Sequence, residues 1–151
     1  MEVSYSHRWL VPLSRKKTWD FFIECFKHSA SVPEWPHSIS TLRSKKGEIA
    51  KGNTIEATYK MGPIQSRAVY CIQEVAPEKK LAYETTSDHP LIGHSEIEFF
   101  EDPKGTYCHW HGKYRSKGWG SILMLGWFKT IFEPLFFSLL QSKTKTIHSD
   151  P

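Results

Sequence analysis

The feature that most restricts the fold lies between residues 40 and 116, where apolar and polar side chains alternate in runs separated by turn residues. A period of two places alternate side chains on opposite faces of a strand, so each register can be tested by asking what it buries. A two-residue turn at Gly62-Pro63 sets Met61 opposite Ile64, Tyr59 opposite Ser66, Ala57 opposite Ala68 and Ile55 opposite Tyr70. The other face then pairs Thr58 with Arg67 and Glu56 with Val69. A four-residue loop Ala76–Lys79 places Glu74, Ile72 and Tyr70 opposite Leu81, Tyr83 and Thr85. A second four-residue loop, Asp102–Gly105, places Phe99, Ile97 and Ser95 opposite Cys108, Trp110 and Gly112, with Glu98 and Glu96 facing His109 and His111. Every register yields one apolar and one polar face, whereas a slip of one residue would bury Glu96 and Glu98. The segment is therefore predicted to be an antiparallel meander.

Residues 3–11 alternate as well, and Pro12 ends that strand. Ser14 then precedes an amphipathic helix on which Trp19, Phe22, Ile23 and Phe26 fall at i, i+3, i+4 and i+7, so Ser14 is its expected N-cap. Pro33 and Pro36 flank Trp35, which predicts a loop or short helical turn with a buried anchor. After Lys117-Gly118 comes a run of 22 residues from Trp119 to Leu140. As a helix it would be roughly 33 Å long, enough to span a bilayer. Lys129 and Glu133 near its middle argue against spanning, since each costs on the order of 2.5–3.5 kcal/mol at the bilayer centre. One wide apolar arc (Met124, Leu125, Phe128, Ile131, Phe132, Leu135, Phe136, Leu139) opposes Gly126, Lys129, Thr130 and Glu133, as expected of a helix packed on the sheet and bent at Pro134. Residues 1–151 read as one domain, with the tail from about residue 142 frayed.

Composition narrows the function classes. With 39% hydrophobic and 24% charged residues, the chain can bury a core without disulfides or metals. Aromatics reach 14%, six of them Trp, more than a small core needs; the excess points to a lined cavity or an exposed apolar surface. A net charge of +4 from scattered basic groups gives no indication of nucleic-acid binding. Cys25, Cys71 and Cys108 are odd in number and widely spaced, which reads as reduced thiols of a cytoplasmic protein. The N-terminus has no basic start followed by an apolar run, so export is not expected.

The order strand, helix, meander, long helix, together with "VPLSRKKTWDFF", "VPEWPHSISTL" and "GEIAKGNTIEATYKMGPIQSRAVYCIQEVAPEKKLAYE", resembles the helix-grip superfamily (SRPBCC). That superfamily includes the START, birch-pollen-allergen-like and polyketide cyclase/dehydrase-like proteins. The resemblance runs from about Val3 to Ile147 and implies an α+β fold. In it a curved seven-stranded antiparallel sheet wraps around a long C-terminal helix, with one or two short helices between strands 1 and 2. It also implies an apolar cavity between sheet and helix. The inner face derived above would supply its wall: Ile55, Ala57, Tyr59, Tyr70, Ile72, Tyr83, Thr85, Ile97, Phe99 and Trp110, with Phe128, Phe132 and Phe136 from the helix.

Tyr70 and Tyr83 are the groups expected to orient a ligand, and Glu74 is the candidate base if burial raises its pKa. His109, His111, Glu96 and Glu98 have the residue types of a zinc site. They fall on the polar face, where cross-strand Glu–His pairs are ordinary solvated partners, so no metal and no cofactor is expected. Cys108 faces inward as packing. Leu123, Trp127, Phe137 and Leu140 lie outside the main helical arc and leave three uses open: closing the cavity, a homodimer, or peripheral membrane contact near Lys143 and Lys145. The leading reading is binding or transport of an apolar or amphipathic small molecule, such as a lipid, polyketide or isoprenoid. The alternatives are a polyketide cyclase or aromatase-like enzyme and a membrane-associated lipid or quinone chaperone.

Overall fold

The computed structural model describes residues 2–147, Met61 by its backbone alone. Seven strands form one antiparallel sheet: β1 (Glu2–Val11), β2 (Ser40–Ser44), β3 (Thr54–Met61), β4 (Ile64–Ala76), β5 (Lys80–Thr85), β6 (Leu91–Asp102) and β7 (Gly105–Ser116). Their spatial order is β1-β7-β6-β5-β4-β3-β2, so the hairpins are neighbours and only β1 crosses the sheet to pair with β7. The crossing is made by α1 (Arg15–His28), whose N-terminus is capped by Ser14 Oγ accepting from Lys17 N–H at 3.2 Å. Trp35 anchors the following loop: it is 1% exposed and donates from Nε1 to the Ser40 carbonyl at 3.0 Å. The C-terminal helical run comprises α2 (Ile122–Trp127), a π turn (Phe128–Phe132) and α3 (Glu133–Thr144).

The β3–β4 and β6–β7 hairpins have the registers derived from the sequence, with Ile55 opposite Tyr70 and Ile97 opposite Trp110. Gly62 makes the first turn possible, adopting a φ of 63° that side chains with a Cβ resist. The β4–β5 hairpin differs. Its loop is three residues, Pro77–Lys79, closed by Ala76 opposite Lys80, with Glu78 in the left-handed region. The one-residue offset is absorbed by a bulge between Ile72 and Glu74. Tyr70 and Ile72 thus keep their expected partners Thr85 and Tyr83, but Val75 and not Glu74 stands opposite Leu81.

The C-terminal helix packs through Leu125, Phe128, Phe132, Phe136, Phe137 and Leu140, all buried. This face departs from the expected arc after residue 130. Ile131 and Leu135, expected inside, are 55% and 44% exposed, while Phe137, Leu140 and Glu133, expected outside, are buried. The π turn is the cause. Pro134 cannot donate the next helical hydrogen bond and its ring crowds the preceding turn. Just before it, Glu133 N–H bonds the Phe128 carbonyl five residues back, and this wider turn rotates α3 relative to α2. Glu133 then meets β1, its Oε1 2.7 Å from His7 Nε2 and 3.5 Å from Lys129 Nζ. The helix also outruns the expected frayed tail. It stays regular to Thr144, a buried residue whose Oγ1 accepts from Trp9 Nε1 at 3.0 Å. Residues 148–151, which the sequence reading counted in that tail, lie outside the described residues.

Candidate ligand-binding cavity

Between the inner face of the sheet and the helix lies a cavity of about 40 Å³, room for about three water molecules. Of the wall residues expected from sequence, Tyr59, Tyr70, Tyr83, Trp110, Phe128, Phe132 and Phe136 line it. Ile55, Ala57, Ile72, Ile97 and Phe99 are buried but not on the wall. Phe99 is covered by α1, on which Trp19 and Phe22 each pack against it with ring centroids 5.5 Å apart. Thr85 is half-buried, and its Oγ1 accepts from Gly93 N–H at 3.0 Å.

Seven further residues complete the wall: Tyr5, Phe26, Trp35, Ser40, Leu42, Tyr114 and Phe137. Tyr114 could have been found, because it stands opposite Gly93, two residues beyond the Ser95–Gly112 pair at which the register derivation stopped. Tyr5 carries the right parity on β1 but meets the others only through the long-range pairing with β7, where it faces Gly112. A Cβ at Gly112 would lie 2.6 Å from the His94 carbonyl oxygen and 3.0 Å from the Tyr5 ring, so glycine is what allows this approach.

Five tyrosine side chains thus meet in the interior, and four of their hydroxyls form two groups. Tyr5 and Tyr114 share Ser95, whose Oγ lies 2.7 Å from Tyr114 OH, while Tyr59 and Tyr70 bond each other. Tyr83 accepts from Trp110 Nε1 at 3.0 Å. Burial raises the pKa of all five, so each is a neutral phenol able to donate or accept. Burial likewise raises the thiols of Cys25 and Cys108, which suits packing and not reaction.

His89, in the connection between β5 and β6, escaped the sequence reading. It is 3% exposed; its Nδ1 accepts from Leu91 N–H at 2.9 Å and its ring lies 4.6 Å from that of Tyr70. Burial, aided by the nearby Lys117 charge, pushes its pKa down to about 4, so the ring is neutral at physiological pH.

Glu74 is not at the cavity. The β4 bulge leaves it 51% exposed, with Oε2 3.0 Å from Lys80 Nζ. On the outer face Glu98 Oε1 lies 2.9 Å from His111 Nε2 and 3.8 Å from His109 Nδ1, and Ser6 Oγ meets His109 Nε2 at 2.8 Å. Burial first, then the neighbouring His111, lowers the pKa of His109. Each of the three is between a quarter and a third exposed, so this trio forms a half-solvated cross-strand network.

The architecture recurs in solved structures. The two-domain aromatase/cyclase BexL from the BE-7585A biosynthetic pathway superposes with a TM-score of 0.71 at 12% identity, over 99% of this chain and 51% of that one. Norcoclaurine synthase of Thalictrum flavum, solved with a transition-state analogue, gives 0.66 at 10% identity over 96% of this chain and 92% of its own. Ara h 8.0201 gives 0.65 at 10% identity, over 97% and 100%. At these identities the likeness establishes the helix-grip fold and not a shared chemistry. No curated protein matches the sequence. The family described as "Polyketide cyclase / dehydrase and lipid transport" does match, over residues 5–142, and this chain belongs to it.

Proposed function

We propose that the protein binds a flat apolar or amphipathic small molecule between its sheet and its C-terminal helix, and acts as a carrier or binding protein. The observation that supports this best is the wall itself: aromatic rings broken only by Leu42, neutral hydroxyls and one serine. Among the described wall residues there is no carboxylate, histidine, lysine or arginine, and His89 beside them has its Nδ1 lone pair taken by Leu91 N–H, so no ordinary general base faces the cavity. That weighs against the cyclase alternative. The unliganded space of about 40 Å³ is far below the roughly 300 Å³ of typical ligand pockets, so a ligand must displace side chains to enter. Native mass spectrometry of gently purified protein is expected to show an added mass of a few hundred daltons over the denatured chain. Tyr70→Phe and Tyr83→Phe are expected to change which compound is retained. A bare chain mass under all gentle conditions, or the same compound held equally by both variants, would count against the assignment.

A second reading is favoured by the exposed side of the C-terminal run. Trp119 and Leu123 are 91% and 85% exposed, and Ile131 and Leu135 continue the stripe at multiples of four residues. Apolar surface of this kind suits contact with a membrane interface from which a lipophilic ligand is taken up. Co-sedimentation with vesicles containing anionic lipid is expected for the native chain and is expected to fall at least severalfold in a Trp119→Ser, Leu123→Ser double variant. Equal pelleting of the two would remove this reading.

A further inference from the structure

One polar group at the cavity has no partner. His89 Nδ1 accepts a hydrogen bond from Leu91 N–H, so in the neutral ring the hydrogen resides on Nε2. That Nε2 is fully buried and bonded to nothing. Donors left in this state are rare in folded proteins, because each forfeits the hydrogen bond it had in water. The ring is held rigidly: it packs edge-on to Tyr70 at 4.6 Å and nearly parallel to Tyr114 at 6.2 Å, and its backbone N–H bonds the Thr86 carbonyl at 3.1 Å.

The imidazole borders a small void of about 10 Å³ that it shares with Tyr59, Tyr70, Tyr114, Trp127 and Phe128. Four of those neighbours also line the main cavity, so the void is a side chamber of the same space. Within it the hydroxyls of Tyr59 and Tyr70 bond each other, whereas the imidazole Nε2–H makes no hydrogen bond at all.

We propose that His89 Nε2–H donates a hydrogen bond to an acceptor oxygen on the ligand, so that His89 selects flat apolar molecules bearing a ketone, ester or comparable oxygen over those without one. This rests on the cavity being the ligand site. The neutral state of the ring keeps the donor in place without burying a charge.

The probes are acetophenone and α-methylstyrene, two molecules of the same shape in which a carbonyl oxygen is exchanged for a methylene group. Ligand-detected NMR on the full chain is expected to give tighter binding of acetophenone, by about threefold to tenfold. His89→Phe is expected to abolish that preference, bringing the affinities of the two probes to within about twofold of each other. Should the variant fail to fold, the native protein labelled at its histidine ring nitrogens reports independently: the Nε2–H resonance of His89 should move with acetophenone and not with α-methylstyrene. Equal binding of the two probes with an unmoved resonance would mean that a trapped water satisfies Nε2–H, and it would overturn the role of His89 while the cavity reading stands. Failure of both probes to bind would overturn the cavity reading and this inference with it.

Discussion

Trp110→Ala is expected to lower the unfolding free energy by about 3–5 kcal/mol. Trp110 is 4% exposed and sits where four parts of the chain converge. Its ring lies 5.9 Å from Phe26 of α1, 6.5 Å from Trp35 of the loop, and 5.6 Å and 5.2 Å from Phe136 and Phe137 of α3. Walls carried by separate elements on both sides of the ring cannot all close over the void, so the cavity term should be near its upper range. The truncation also strips Tyr83 of the indole hydrogen bond it accepts at 3.0 Å. Binding should move in the opposite direction, since an enlarged apolar cavity can hold a ligand such as benzene without displacing side chains, and so more tightly than the native space of about 40 Å³ does. Urea unfolding measures the first effect and benzene titration by NMR the second. A stability loss under about 1 kcal/mol together with no gain in benzene binding would show that the aromatic layer is not packed as described.

Acidification is expected to remove about 3 kcal/mol of stability through His89 alone. In the unfolded chain this histidine titrates near 6.5, whereas in the fold it does so at about 4. Between those values the unfolded chain binds the proton and the native one does not, so stability falls as pH drops from 6.5 toward 4. Above the window the group is neutral in both states and contributes no slope. Its burial means that solvent screening reduces the effect little. The carboxylates titrate over part of the same range, so the measurement is a difference: urea unfolding of the native chain and of His89→Phe across pH 4 to 7. The native chain should lose more stability than the variant, and parallel profiles would show that the imidazole is not held neutral. This test needs no ligand and is independent of the binding role assigned to Nε2–H.

The parts of the fold legible in the sequence are those governed by local rules. Ser14 and the i, i+3, i+4, i+7 spacing of Trp19, Phe22, Ile23 and Phe26 specify α1, and the structure places that cap as expected and buries that face, Ile23 only partly. The Gly62-Pro63 turn and the Asp102–Gly105 loop, which the structure tightens to a two-residue turn by pairing Asp102 with Gly105, determine two hairpin registers, because a slip by one residue would exchange their buried and solvated faces. Where local rules compete, reading alone fails. Loops of three and four residues both suit the stretch around Pro77, and only the bulge after Ile72 reconciles the shorter loop with the pairing of Ile72 to Tyr83; Glu74 left the cavity as a result. Ile131, Leu135, Phe137 and Leu140 were assigned to faces on a uniform helical period, which the π turn before Pro134 interrupts.

The candidate site divides along the same line. Tyr59, Tyr70, Tyr83 and Trp110 reach its wall through the alternation of single strands, a property that each short segment carries for itself. Tyr5 joins Tyr114 and Ser95 only because β1 closes the sheet against β7 more than a hundred residues later. The solitude of His89 Nε2 exists only once β4, β7 and the C-terminal helix have enclosed it. Strand parity, capping and turn geometry are set by neighbours in the chain, so the sequence by itself determined the sheet, the helices and the polarity of the inner face. The volume of the cavity, the neutrality of its titratable groups and the unpartnered Nε2–H of His89 depend on water being excluded by distant elements, and those only the tertiary structure decided.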